Sequence, residues 1–431
     1  MSTTGTGLSR VATRAMRRHL VGPAQRWRFE PPADDWRPPM VERTSLYLHV
    51  PFCLNCCPYC PYTKVVFRPE LVDRYARAAA AEIDLWSEAL AAPEVTSIYV
   101  GGGTPTLAMD AVGMLLARAR DRFTVTGDAC IETNPSDVTA EMVSRLHESG
   151  IELVSLGVQS FSEHSLRVIG RRYAPEVARA ALRSLTVASF ASVNADIMFA
   201  LPGQSKAEVL RDLDEAAELG ADQITTYPLF TFPYTAIGEY LDLKGVRLPG
   251  LGTRHEQYMA ISEWAARNGF ERVSVWGFRR GDVPRYSSVT RDGYVGVGPG
   301  SGSHLPDGFT LNTFDLEEWE SAVEAGRLPV ALRMPFTPEM SAWWWLYWRF
   351  YDTRIPAAAL GEVLGDDAGK ARRWLAALQA AGFADRSNGA FELTDRGAFW
   401  LHLAQNHFAL SYVNTLWTAA RTAPWPAVVE I

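Results

Sequence analysis

With 431 residues, 47% of them hydrophobic and 21% charged, the chain is long enough for one large core and one or two smaller modules. A formal net charge of -7 argues against bulk attraction to nucleic acid or to anionic lipid, either of which needs a dominant basic surface, and points to small-molecule partners. No apolar run reaches the roughly eighteen residues of a membrane span and no compact secretory signal stands at the start, so the cytoplasm is the expected compartment.

Residues 1–44 read as an N-terminal arm, with a basic amphipathic stretch around Arg14, Arg17 and Arg18 and a Pro-rich segment from Pro31 to Pro39. From residue 45 a strand–helix alternation sets in. Strands are predicted at Leu46–Val50, Ser97–Val100, Cys130–Thr133, Leu153–Val158, Val193–Phe199 and Gln223–Tyr227, with helices at about 69–90, 110–121, 138–149, 175–188 and 206–219. Each helical crossover returns the chain to the same sheet edge, so the strands pair in parallel. The expected fold class is α/β: a partial (β/α)6 TIM-type barrel over 45–235, with its site at the C-terminal strand ends.

Over 236–335 the pattern loosens into a barrel extension with extra strands: a helix at about 254–268, a strand near Arg272–Val275 and the Gly-rich run Gly296–Ser303. From 336 to 431 the chain is helical and aromatic, and Ile355–Thr394 resembles a small winged-helix module. No basic recognition helix accompanies it, so packing rather than nucleic-acid binding is expected. The aromatic run Trp343–Tyr351 cannot be one-sided on a helix. Most of it should pack in a core, and the functional alternative is a wall for a flat, apolar substrate.

Four of the five cysteines crowd between Cys53 and Cys60, which is no disulfide framework; Cys130, alone in a strand, reads as a small buried hydrophobe. The spacing Cys53-x3-Cys57-x2-Cys60 folds three thiolates around one point, and a cubane 4Fe-4S cluster held by three thiolates keeps one iron open. The competing possibility is zinc with Cys56 as fourth ligand, made awkward by the adjacency of Cys56 and Cys57. Later strand ends carry Gly101-Gly102-Gly103-Thr104, then Glu132-Thr133-Asn134, then Gly157-Val158-Gln159, then Asp196. Each alone could be a turn or a helix cap, but all fall where a barrel binds ligands.

The segment Tyr47-Leu48-His49-Val50-Pro51-Phe52-Cys53 with its following cysteines resembles the cluster loop of the radical S-adenosylmethionine superfamily, and its lead-in is similar to the oxygen-independent coproporphyrinogen III oxidase group. The likeness covers about residues 45–305. It implies that Cys53, Cys57 and Cys60 hold a 4Fe-4S cluster whose open iron chelates S-adenosylmethionine, cleaved to start radical chemistry. It further implies that Gly102, Gly103 and Thr104 contact the methionine end of that cofactor and that Glu132 and Gln159 bind ribose hydroxyls or amino groups. Arg171 would pair a carboxylate, Asp196 would hold a ribose, and Tyr47, the catalytic candidate, would pack between cluster and cofactor. An electron donor such as flavodoxin or ferredoxin is implied as partner.

Three activities occur in that group: porphyrinogen oxidation, class C radical methylation with two S-adenosylmethionine molecules, and haem chaperoning. Tyr62 stands where the oxidase proper has a further Cys, and the chain continues past Leu393-Thr394-Asp395-Arg396-Gly397 through His402, Asn406, His407 and Tyr412. These departures make it most similar to class C methylases or cyclopropanases of natural-product pathways, acting on an aromatic or heteroaromatic metabolite. His49, His304 and His407 are expected to be ordinary structural histidines.

Overall fold

The structure, a computed structural model, describes residues 17–21, 26–232, 234–243, 245–286 and 292–431, the Ser411 side chain apart. Arg14, of the basic stretch of the arm, lies outside the described residues.

The barrel strands form where an apolar register alternates with small polar side chains. In β1 (Arg43–Val50), Leu46, Leu48 and Val50 are buried among helix residues such as Ile83 and Trp86, while Ser45 joins an internal hydroxyl network with Ser97, 3.1 Å away. The same pattern builds β2 (Glu94–Gly102), β3 (Ala129–Thr133), β4 (Leu153–Gln159), β5 (Ser192–Phe199) and β6 (Gln223–Pro228). All six pair in parallel in chain order, as expected of a partial TIM-type barrel.

Between them run α1 (Pro69–Ala89), α2 (Met109–Arg122), α3 (Ala140–Glu148), α4 (Pro175–Thr186) and α5 (Lys206–Glu218). Proline in the first turn starts α1 and α4, and a Ser205–Glu208 capping box starts α5. A short helix, Glu163–Val168, capped by Ser162, was not predicted from the sequence; six residues are too few for a visible period.

The extension begins with α6 (Leu251–Arg267) and a hairpin of β7 (Phe270–Arg272) and β8 (Gly277–Arg280), which adds antiparallel strands beside β6. The strand predicted near Arg272–Val275 therefore ends at Arg272: Ser274 Oγ accepts the Gly277 amide at 2.9 Å, and the chain turns there. On the other edge β9 (Val295–Val297) pairs in parallel with β1, so the sheet stays open.

In the C-terminal part, α7 (Pro338–Tyr351) precedes a three-stranded antiparallel sheet (Arg354–Pro356, Ala384–Ser387, Ala390–Leu393) with α8 (Ala368–Ala380) against it, and α9 (Asp395–Thr422) follows. Trp343, Trp344 and Tyr347 are buried in a second core together with Trp27 and Phe408, so packing accounts for most of the aromatic run. The arm strand Arg28–Phe29 pairs with Val429–Glu430, tying the chain's beginning to its end.

Candidate active site

The barrel strands release polar groups at their C-terminal ends, and a cavity of about 430 Å³ opens there. Every residue predicted for the site lines it except Tyr47. After β1, the cysteine loop is closed by backbone bonds: the Val65 amide donates to the Pro51 carbonyl (2.7 Å), Phe67 to Cys53 (2.9 Å), and Thr104 from the next strand end to Phe52 (2.7 Å). Gly103 lets the two strand ends meet, because a Cβ there would run into the Phe52 carbonyl. Lys64 Nζ donates to the Cys60 carbonyl at 2.8 Å, and Arg421 of α9 donates to the Pro61 carbonyl at 3.0 Å, so the C-terminal helix clasps the loop.

Cys53, Cys57 and Cys60 line the cavity, whereas Cys56 is exposed and does not. Tetrahedral zinc would need a fourth thiolate, which Cys56 does not present to the cavity, so three thiolates fit a cubane cluster with one open iron better. Burial pushes the Cys53 thiol up to about 12, Cys60 adds to this, and Thr104, donating to the Cys53 Sγ at 3.9 Å, offsets part. Burial raises Cys60 as well. Buried thiols that resist ionising alone become stable thiolates once bound to iron, and the donor set fits such a group. Cys130 is buried among Tyr99 and Leu153, as expected.

The polar groups at the other strand ends are held in place by second partners. Glu132 accepts from the Gly102 amide (3.2 Å) and from the Tyr99 hydroxyl, and burial raises its pKa. Gln159 has a left-handed backbone (φ 64°), a strain of order 1–3 kcal/mol for a non-glycine residue, and its Oε1 accepts from Tyr227 at 2.7 Å. Asp196 accepts from Asn194 (2.9 Å) and Ser155 (3.3 Å); burial, and then the charge of Glu132, push its pKa up to about 7. Arg171 is fixed by donating its Nε–H to the Tyr59 hydroxyl at 3.0 Å, with Tyr59 and Tyr173 rings within 6 Å of the guanidinium.

Tyr47 is held in place by its neighbours. Its hydroxyl lies 2.9 Å from His49 Nδ1, and His49 Nε2 lies 2.9 Å from the Thr63 carbonyl. A carbonyl only accepts, so Nε2 carries the hydrogen and Nδ1 accepts from Tyr47. The half-buried ring of Tyr47 packs beside Tyr99, which lines the cavity. Burial holds His49 and His304 neutral, each down at about 4, which agrees with a structural role. His407 does not line the cavity.

Sequence reasoning assigned no site role to much of the wall: Ser155, Thr225, Tyr227, Phe230, Phe232, Trp276, Tyr286, His402 and Asn406, whereas Tyr351 belongs to the run offered as a substrate wall. Thr225 and Tyr227 sit near the end of β6, where the strand-end rule would have found them. Trp276 and Tyr286 come from the extension, which has no readable period.

Residues 47–216 match the family described as the Radical SAM superfamily. The chain is 30% identical over 331 residues to an oxygen-independent coproporphyrinogen III oxidase from Bradyrhizobium diazoefficiens, covering 72% of each protein. It is 32% identical over 297 residues to the heme chaperone HemW of Mycobacterium tuberculosis, covering 67% of this chain and 76% of the chaperone. The solved structure of the coproporphyrinogen III oxidase HemN from Escherichia coli shares the fold, with a TM-score of 0.71 at 21% identity over 88% of this chain and 91% of that one. The chain belongs to the radical S-adenosylmethionine superfamily, in the group that contains these oxidases and chaperones. Its cofactors are a 4Fe-4S cluster and S-adenosylmethionine. Among the described residues, no helix is long and apolar enough to cross a membrane.

One expected result follows from Asp196. Its carboxyl is neutral below and ionised above about pH 7, and a sulfonium cation nearby favours the ionised form. S-adenosylmethionine affinity, measured by calorimetry on reconstituted protein, should therefore rise by up to about tenfold per unit as pH approaches 7 and level off above it. Asp196→Asn should flatten the slope, and an unchanged slope would remove Asp196 from cofactor binding.

Proposed function

We propose that this chain is a radical S-adenosylmethionine enzyme that takes a hydrogen atom from a small molecule built on pyrrole-type or other heteroaromatic rings. The observation that carries this reading is the continuity of one cavity from the three cysteines to an aromatic wall of Tyr62, Phe230, Phe232, Trp276 and Tyr351. The cluster, with S-adenosylmethionine bound, supplies a 5'-deoxyadenosyl radical as the hydrogen acceptor. The chain's own residues position: Arg171 offers a fixed guanidinium for a carboxylate, Asp196 and Gln159 offer acceptors at neighbouring strand ends, and α9 covers the mouth.

The oxidases among the relatives support an oxidative outcome over carbon transfer, reversing the order suggested by the sequence, and the heme chaperones among them support a tetrapyrrole ligand. Methyl or methylene transfer from a second S-adenosylmethionine to an sp2 carbon stands as a second reading. It is favoured by Tyr62 in place of a further cysteine and by the scarcity of cations in the cavity. Among the described lining residues only Lys64 and Arg171 could pair the carboxylates of a porphyrinogen.

Anaerobic turnover of the reconstituted protein with coproporphyrinogen III and with heteroaromatic candidates separates the outcomes. Protoporphyrinogen with 5'-deoxyadenosine and no S-adenosylhomocysteine supports oxidation. Comparable yields of 5'-deoxyadenosine and S-adenosylhomocysteine support carbon transfer. Tight haem binding with no turnover would overturn both in favour of a chaperone.

A further inference from the structure

The cavity lining divides by charge. At the cysteine loop, both cations found among the described lining residues are already engaged, Arg171 with Tyr59 and Lys64 with the Cys60 carbonyl. A contiguous second patch has no cation. There Trp276 contacts Phe230 (ring centroids 6.4 Å apart) and His402 (4.8 Å), and His402 contacts Tyr351 (5.4 Å). His402 and Asn406, four positions apart on α9, share one face of that helix and both line the cavity.

The Trp276 Nε1–H can only donate, and it reaches His402 Nε2 at 3.2 Å. That nitrogen is therefore the acceptor, and the ring is held as the neutral tautomer with its hydrogen on Nδ1. Burial keeps the pKa of His402 down at about 4, so it adds no charge near neutrality. The Asn406 side-chain amide hydrogen-bonds no described residue and stands at the cavity surface. A primary amide offers a donor and an acceptor side by side, and its complement is another such edge; a carboxylate offers acceptors alone.

We infer that the patch of Trp276, Tyr351, His402 and Asn406 reads the substrate, and that the group it reads is an uncharged, flat heteroaromatic ring with an amide-like edge bound by Asn406. This rests on the reading that the cavity holds the substrate of the radical chemistry. It sharpens that reading by excluding a polycarboxylate at this patch, because nothing there would pair the charge.

The test is a ligand-observed NMR titration of the reconstituted holoenzyme, with S-adenosylmethionine present, using indole-3-carboxamide and indole-3-carboxylate as matched probes. The carboxamide should bind at least about tenfold more tightly than the carboxylate. Asn406→Leu should weaken the carboxamide and narrow the ratio, while iron content and thermal melting stay as in the parent. Asn406→Asp, which keeps the shape and loses the donor, should also weaken the carboxamide. Equal or tighter binding of the carboxylate, a ratio unchanged in Asn406→Leu, or binding of neither probe would overturn the inference. The 5'-deoxyadenosine formed by the parent preparation reports separately on the radical reading. If it forms while the probe preference is absent, only the substrate inference falls.

Discussion

Replacing Cys53, Cys57 or Cys60 singly by alanine should abolish cluster assembly, whereas Cys56→Ala should keep iron and sulfide close to the parent values. Three cysteines of the loop line the cavity, and the fourth, Cys56, is exposed and does not. With three thiolates per cluster no ligand is spare, so each loss opens a second iron and the cluster dissociates. Iron and sulfide assays after anaerobic reconstitution, with the absorption band of the cluster, give the readout. Loss of iron in Cys56→Ala alone would mean that the ligand set is wrong.

The second large effect concerns the support of the site. Glu82 of α1 is fully buried and accepts from the Gly298 amide (2.8 Å), Trp319 Nε1 (2.8 Å), Asn312 Nδ2 (2.7 Å) and Trp86 Nε1 (3.3 Å). Gly298 in turn packs against the backbone of His49, just before the cysteine loop, where a Cβ would strike the His49 carbonyl. Glu82→Ala strands several buried donors at once, which should cost on the order of 4 kcal/mol and loosen the junction of β9 with β1. Denaturant unfolding against the parent measures it; a loss below about 1 kcal/mol would contradict this role. Burial pushes the Glu82 pKa up to about 7, with the four donors opposing the shift. Because the folded value lies above the unfolded one, its contribution is fully present below about pH 4.5 and declines as pH rises through 7. The parent should therefore lose stability over that window relative to Glu82→Gln.

Much of the barrel was legible because its signals are local. Uninterrupted apolar registers marked β1 to β6, and the strand-end placement of Gly102, Glu132, Gln159 and Asp196 follows from parallel topology, so all four reach one cavity. The cysteine spacing carried its chemistry in a single loop. The hydroxyl of Tyr47 is directed by His49, two residues on, whose ring is set by the Thr63 carbonyl fourteen residues further, so its hydrogen bonding was not legible in the sequence. The wall formed by Trp276, Tyr286 and Asn406 was hidden for a different reason. Those residues come from the extension and from α9, and only the packing of distant segments onto the barrel brings them to the cysteines. In the run Trp343–Tyr351, composition alone could not say that Tyr351 faces the cavity while Trp344 is buried against Trp27.

The membership of this chain among radical S-adenosylmethionine enzymes is tested most directly by adding S-adenosylmethionine and dithionite to the anaerobically reconstituted protein and quantifying 5'-deoxyadenosine. Formation of 5'-deoxyadenosine by the parent and by Cys56→Ala, with none from Cys53→Ala, Cys57→Ala or Cys60→Ala, is the expected result. A parent that carries its full complement of iron and sulfide yet forms no 5'-deoxyadenosine would contradict it.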